Sequence, residues 1–359
     1  MKVTRLETIG VRMPVTRPLG NATVQIKSFS CLLIYLHTDE GLVGENLIFT
    51  IREEQLPLLD AMVRVLEEAV IGLDITHTEA FWADAWKRIN FIGFTGVSIM
   101  GISAIDGALW DLRGKAAGLS ISQLLGVARE RVPAYASGGL WLSQSVSEAA
   151  DEAAFLAQSG FRAMKARLSG HVESDIKRVA AIRSAIGPDV GLMVDVNQGI
   201  DVRTAIRLAG ELEPYGISWF EEPIPAHDLE GLADVAAAIS IPVASGENEY
   251  TRHGFRRMLD LKAADILMPD LQRVGGVTEF FKVGCLAQAY NVPVSSHLFP
   301  EMSLQLLGSL PNVNYLEHLE WYQPLYNEPL EMVDGEVIVP KRAGFGFRFN
   351  HTAVEHFRI

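Results

Sequence analysis

From about residue 130 onward the chain repeats one pattern: a short apolar run with a polar end, followed by an amphipathic stretch. The runs recur near 133–137, 163–167, 190–195, 217–221, 241–245, 265–269, 292–296 and 313–317. Most gaps carry apolar residues at three- and four-residue intervals: Ser147 to Gln158, Ser174 to Ile186, Val202 to Leu212, Leu229 to Ile239 and Val277 to Tyr290. Eight strands at this spacing fit an α/β fold of the (β/α) barrel type better than an open sheet. The last crossover helix is the least legible of the set.

Three carboxylates mark the repeat at equal intervals. Asp195 closes Val190-Gly-Leu-Met-Val-Asp195, Glu221 closes Ile217-Ser-Trp-Phe-Glu221, and Glu247 follows Ile241-Pro-Val-Ala-Ser. In a parallel barrel such strand ends share one face, so three separated acids are expected to converge. Convergent carboxylate oxygens suit a hard divalent cation, with positions left open for water and substrate. Taken one at a time, an acid after a strand is more often a helix N-cap or a solvated loop residue. It is the common register that favours metal.

Other strand ends add Ser137, Lys165 with Arg167, Asn197, Glu222, Asp270, His297 and Glu317. Lys165 and Arg167 alternate onto one face of an otherwise apolar strand. An inward pair of cations is costly unless it meets anions, supplied here by the acids, by a substrate carboxylate, or by both. Asp270 is a natural partner for His297. A carboxylate on one imidazole nitrogen fixes the tautomer and raises basicity, which makes a general acid/base pair. Glu317 is open to two roles, donating a hydrogen bond when protonated or pairing with a cation.

The first third differs. Phe29 to Thr38, the turn Asp39-Glu40-Gly41 and Leu42 to Glu45 read as a hairpin. Gln55 to Ala69, Thr78 to Ile89 and Ile99 to Ala117 read as helices. The expected domains are 1–125, an α+β unit; 126–325, the barrel; and 326–359, short strand-like pieces that pack back on the first unit. A net charge of −13 argues against non-specific binding to nucleic acid or an anionic membrane, and no apolar run has transmembrane length. Without a signal-peptide pattern, a cytoplasmic protein is expected. Cys31 and Cys285 lie in apolar stretches and read as small buried hydrophobes, not a disulfide pair.

The motifs together resemble the enolase superfamily, mandelate racemase subgroup. They are Ile105-Asp-Gly-Ala-Leu-Trp-Asp111, Leu192-Met-Val-Asp-Val-Asn197, Glu221-Glu-Pro223, Gly246-Glu247, Met268-Pro-Asp270, Gly275-Gly-Val277 and Ser295-Ser-His297. The resemblance covers nearly the whole chain. It implies a (β/α)7β-type TIM-like barrel with an N-terminal α+β capping domain completed by the C-terminal segment. It also implies Mg²⁺ on Asp195, Glu221 and Glu247, an Asp270/His297 dyad, Glu317 as the electrophilic acid and a homo-oligomer. The loops near Gly20 to Phe29 and Leu47 to Arg52 would form a lid that selects a small carboxylate substrate, with Ser137, Trp141 and Asn197 contacting it.

One departure matters. Many members of the subgroup carry two lysines where this chain has Lys165 and Arg167. Arginine holds its proton too tightly to act easily as a second base. That favours a reaction His297 can run alone: dehydration of an acid sugar, aldonate or aldarate, to a 2-keto-3-deoxy acid. Ala136-Ser-Gly-Gly-Leu140 and Leu316-Glu-His-Leu-Glu-Trp321 are similar to galactarate and talarate dehydratases. The competing expectation is a racemase or epimerase of a 2-hydroxy acid or amino-acid derivative.

Overall fold

In the computed structural model, which describes residues 1–20 and 25–359, an antiparallel sheet opens the chain. Its strands β1 (Val3–Gly20), β2 (Gln25–Thr38) and β3 (Val43–Thr50) pair in that order. The part of the expected lid at residues 21–24 lies outside the described residues. Helices then cover the sheet. The chief one, Val97–Ala117, is buried almost all round, wedged between β3 and the barrel. Its approach to β3 needs glycine on both sides. A Cβ on Gly44 would lie 2.3 Å from the Ala108 carbonyl oxygen, and one on Gly107 would lie 2.2 Å from Asn46.

Polar bonds fix this unit on the barrel. Asp106 accepts from the Thr278 hydroxyl at 2.6 Å and from its amide at 3.0 Å. Gln272 bonds both the amide and the carbonyl of Phe49, at 2.6 and 3.2 Å. Asp111 accepts from the amides of Glu45 at 2.9 Å and Phe345 at 3.0 Å. The two acids of the 105–111 motif therefore tie the helix to the barrel and to the C-terminal segment.

The barrel strands are β4 (Arg131–Ala136), β5 (Ala163–Arg167), β6 (Gly191–Asp195), β7 (Ile217–Glu221), β8 (Val243–Ser245), β9 (Ile266–Leu267), the segment 292–297 and β10 (Leu316–His318). Successive strands are parallel. Bridges Leu267↔Val294 and Val294↔Val313 carry the sheet onward, and β10 pairs with β4 to close it. The architecture is a TIM-like barrel with an N-terminal α+β capping domain. Alternation divides every strand. Leu192, Val194 and Phe220 face the surrounding helices, whereas Tyr135, Ala163, Met193 and Trp219 fill the interior. Two residues further along, the same inward parity delivers Ser137, Lys165, Asp195 and Glu221.

Two details depart from the sequence reading. Cys285 is exposed, because it lies on the outer side of helix Gly276–Ala289, while Cys31 is buried. The C-terminal segment touches both units: β11 (Met332–Val333) and β12 (Glu336–Ile338) form a hairpin, and β12 pairs antiparallel with the start of β4. Helix His351–Phe357 and Phe349 pack instead toward β1 and Tyr35. The illegible last crossover is helix Pro300–Leu307. All eight of its residues are buried, so no polar face marks a period.

Candidate active site

The strand ends concentrate backbone strain as well as charge. Leu140, Asn197, Gln198, Glu222, Leu298 and Phe299 all have positive φ, between 39° and 65°. Non-glycine residues hold such angles only where their surroundings over-determine them, which is common at functional sites.

Lys165 is the hub of the floor. Its ammonium contacts Glu221, lies 3.1 Å from Glu317 and 3.7 Å from Asp195, and is 1% exposed. Arg167 donates to Asp195 at 2.6 Å and to Ser137 at 3.3 Å. Ser137 in turn donates to Glu317 at 2.6 Å. Glu317 also accepts from the Leu298 amide at 2.6 Å. Burial alone would raise Glu317, but Lys165, His297 and Arg167 outweigh it and hold the carboxyl below its ordinary range. Of its two expected roles, it fills the cation-paired one here. Glu221, with Trp219 donating at 2.9 Å, is pushed up to about 8 by burial, with Asp195 and Glu317 adding repulsion.

Across the cavity, His297 Nδ1 lies 2.7 Å from Asp270 Oδ2. Asp270 is completely buried and also accepts from the Arg273 amide at 2.8 Å. The other ring nitrogen, Nε2, is 3.3 Å from Glu247. Burial would lower His297, yet Glu247 and Asp270 raise it to about 9. Ser137, Trp141, Lys165, Arg167, Asp195, Asn197, Glu247, His297 and Glu317 all line one cavity roofed by Ile26, Phe49 and Ile51 of the capping domain.

The expected three-acid cluster is only partly assembled. Asp195 and Glu221 are register partners on β6 and β7, and both reach Lys165. Glu247 turns to His297 and lies 3.7 Å from Arg273. Among the described residues no three acids, histidines or cysteines form a group that could hold a metal ion as they stand. The donor chemistry nonetheless fits one. Asp195, Glu221, Glu222, Glu247, Asp270 and Glu317 outnumber Lys165, Arg167 and Arg273, and buried Glu222 is pushed well above its usual range by burial, then by Glu247 and Asp195. A divalent cation relieves that surplus. Asn197 Oδ1, buried on the cavity wall, has no partner.

Sequence reasoning missed Arg273, Tyr135 and Trp321. Tyr135 and Arg273 carry no pattern apart from their neighbours, and Trp321 lay inside a quoted motif without a role.

Residues 5–126 match the N-terminal domain of the mandelate racemase / muconate lactonizing enzyme family, and residues 148–353 match the enolase C-terminal domain-like family. The chain belongs to the mandelate racemase / muconate lactonizing enzyme family. Within it, D-galactarolactone cycloisomerase of Agrobacterium fabrum is 34% identical over 100% of this chain and 99% of its own length. The L-talarate/galactarate dehydratase of Salmonella typhimurium is 35% identical over 95% of this chain and 87% of its own. A solved Bradyrhizobium enolase complexed with magnesium and mandelic acid superposes with a TM-score of 0.93 at 32% identity, covering 100% of this chain and 98% of that one. Among the described residues of this family member, no helix is long and apolar enough to cross a membrane.

Proposed function

We propose that this family member abstracts the proton α to the carboxylate of an acid sugar and eliminates water, giving a 2-keto-3-deoxy acid. The observation that carries the reading is the Asp270–His297 pair, with Nε2 turned into a cavity that also holds Lys165, Arg167 and three strand-end acids. The relatives named above, a dehydratase and a cycloisomerase of acid sugars, support the substrate class. Asp195, Glu221 and Glu247 would hold Mg²⁺, which supplies a Lewis acid for the substrate carboxylate.

Glu247, first among the groups that raise His297 to about 9, would leave it to hold the metal, and the neutral Nε2 then takes the α-proton, while Asp270 keeps the ring in the tautomer that can accept it and steadies the imidazolium that results. Lys165 and Arg167 orient the carboxylate and offset the charge that builds on it as the enediolate forms. Glu317, ionised without substrate, takes up a proton from solvent as the substrate carboxylate binds beside it and raises its proton affinity, and it then donates a hydrogen bond to that oxygen. The C–O bond at the β carbon then breaks, and the departing hydroxyl takes the proton from His297 as water. The enol left behind tautomerises to the 2-keto acid.

Racemisation is the second reading. It needs a base on each face, and Arg167, donating to Asp195, is a poor one. A homo-oligomer is supported by the turn after helix Thr78–Arg88, where Phe91 is fully exposed beside exposed Ile92 and Phe94; light scattering in solution checks it.

The test of the chemistry is a screen of the magnesium-loaded protein against aldonates and aldarates, scored for 2-keto acid. At least one acid sugar is expected to yield product, and chelation is expected to abolish it. Epimerised substrate without keto acid would favour the second reading, and turnover indifferent to chelation would overturn both.

A further inference from the structure

Residues 137–145 join β4 to helix Val146–Gln158 and form the part of the barrel rim that meets Arg167. Three contacts run from this loop to that residue. The Leu140 carbonyl accepts from the Arg167 amide at 3.1 Å, the Ser137 hydroxyl accepts from its guanidinium at 3.3 Å, and the guanidinium lies 4.9 Å over the Trp141 ring. The Leu142 amide of the same loop donates to the Gly20 carbonyl of the capping hairpin at 3.0 Å. Where the loop sits therefore decides where the Arg167 guanidinium points and how the hairpin meets the barrel.

The loop is held from outside itself. Leu140 has a φ of 56°, an angle that a branched residue keeps only when its surroundings impose it. Glu152, on helix Val146–Gln158, accepts from the Leu140 amide at 2.6 Å and from the Gln144 side-chain amide at 2.9 Å. Gly139 lets that carboxylate come close, since a Cβ there would lie 2.9 Å from it. Arg178, on helix Val172–Ile186, donates to the carbonyls of Leu140 at 3.1 Å, Trp141 at 2.7 Å and Gln144 at 3.0 Å. Both backbone polar groups of the strained residue are thus taken by charged side chains from two different helices. Arg178 is 5% exposed, and burial lowers its pKa; Asp175 and Glu152 offset only part of that. A packed apolar side chain would fill the space without desolvating a charge. What the guanidinium adds is three fixed points on one loop.

We infer that Arg178 is a positioning residue for the proposed reaction: it holds residues 137–145 in the arrangement that sets the Arg167 guanidinium against the substrate carboxylate. Arg178 does not line the cavity and acts through Leu140 and Trp141. The inference rests on the proposed carboxylate chemistry, in which Arg167 offsets charge that builds as the enediolate forms. A misplaced Arg167 therefore costs the transition state more than the bound substrate.

The experiment measures steady-state kinetics of the magnesium-loaded protein on the acid sugar giving most keto acid, with kcat expressed per folded molecule from circular dichroism. Arg178→Met is expected to lower kcat about 10- to 100-fold while KM changes less than about three-fold. Arg178→Lys, which keeps the charge and reaches fewer carbonyls, is expected to lose a smaller factor. In an Arg167→Lys background either substitution is expected to cost less than about two-fold further, because the guanidinium that Arg178 places is already gone. Should Arg178→Met fail to fold, Arg178→Lys carries the same comparison. Hydrogen exchange supplies a readout that needs no substrate: the amides of Leu142 and Arg167 are expected to exchange about ten-fold faster or more in Arg178→Lys. Unchanged kcat per folded molecule, or losses that multiply in the Arg167→Lys background, make Arg178 a purely structural residue and overturn the inference, as does unaltered exchange at both amides. Each of these strikes the inference alone. An unsubstituted protein that turns over no acid sugar strikes the proposed chemistry and takes the inference with it.

Discussion

Two buried glutamates near the same end of the barrel are treated in opposite ways. Glu317, on the cavity floor, accepts from Leu298, Ser137 and Lys165 and is kept ionised. Glu301, in the first turn of helix Pro300–Leu307, is equally buried, yet neither carboxylate oxygen has a partner. Burial pushes it up to about 8. Around it the packing is aromatic: Phe299 stacks on Tyr322 at 5.3 Å, and the Tyr322 hydroxyl is also unpartnered. The fold surrounds Glu317 with donors and leaves Glu301 with none, to be neutralised by its own proton.

The contrast breaks most visibly at its hub. Lys165→Met strips the cation from Glu221 and Glu317 together and is expected to cost about 3–5 kcal/mol in unfolding free energy, measured by chemical denaturation. A loss below about 1 kcal/mol would mean the floor network is not the matched charge set described here.

The next effect belongs to Glu301 and depends on pH. Below its ordinary value of 4.5 the carboxyl is protonated in folded and unfolded protein alike. Between there and about 8 only the folded protein keeps the proton, so stability falls as pH rises, by roughly 1.4 kcal/mol per pH unit for this group. Above about 8 the loss is complete. Glu301→Gln removes this slope, so its stability relative to the unsubstituted protein is expected to climb from pH 5 to pH 8 and then level off. A flat difference across that range would show that Glu301 is ionised in the fold.

The smallest effect sharpens the comparison. Ser137→Ala deletes the hydroxyl that donates to Glu317 and accepts from Arg167, while leaving Lys165 and the Leu298 amide in place, and is expected to cost about 1.5 kcal/mol, read by chemical denaturation.

How much of this was legible in the sequence follows the same division. Helix Val202–Leu212 was readable to its last residue because it buries one face, with Ala205, Leu208, Ala209 and Leu212 inward. Helix Pro300–Leu307 was not, because burial on all sides erases the period. The strand-end residues could be read because parity and register place them without any knowledge of tertiary contacts: Lys165, Asp195 and Glu221 meet as alternation requires. Which partner each acid takes depends on side-chain packing across the barrel, and Glu247 turning to His297 rather than toward Asp195 and Glu221 had no local signal. Nor did the exposure of Cys285, which sits in an apolar run but on the outer side of its helix. Trp321 meets Phe29 and Phe49 of the capping domain and Trp141 of the barrel, positions with no shared pattern along the chain.

The role of His297 as the base underlies the proposed chemistry, and loss of the α-proton tests it most directly. Magnesium-loaded protein and its His297→Asn variant are incubated in D₂O with the acid sugar giving most keto acid, and the α-proton signal is followed by NMR. With His297 as the base, the unsubstituted protein consumes that signal as keto acid appears, and the variant is slower by about 10²–10⁴-fold. A variant that consumes the α-proton as fast as the unsubstituted protein would contradict that role.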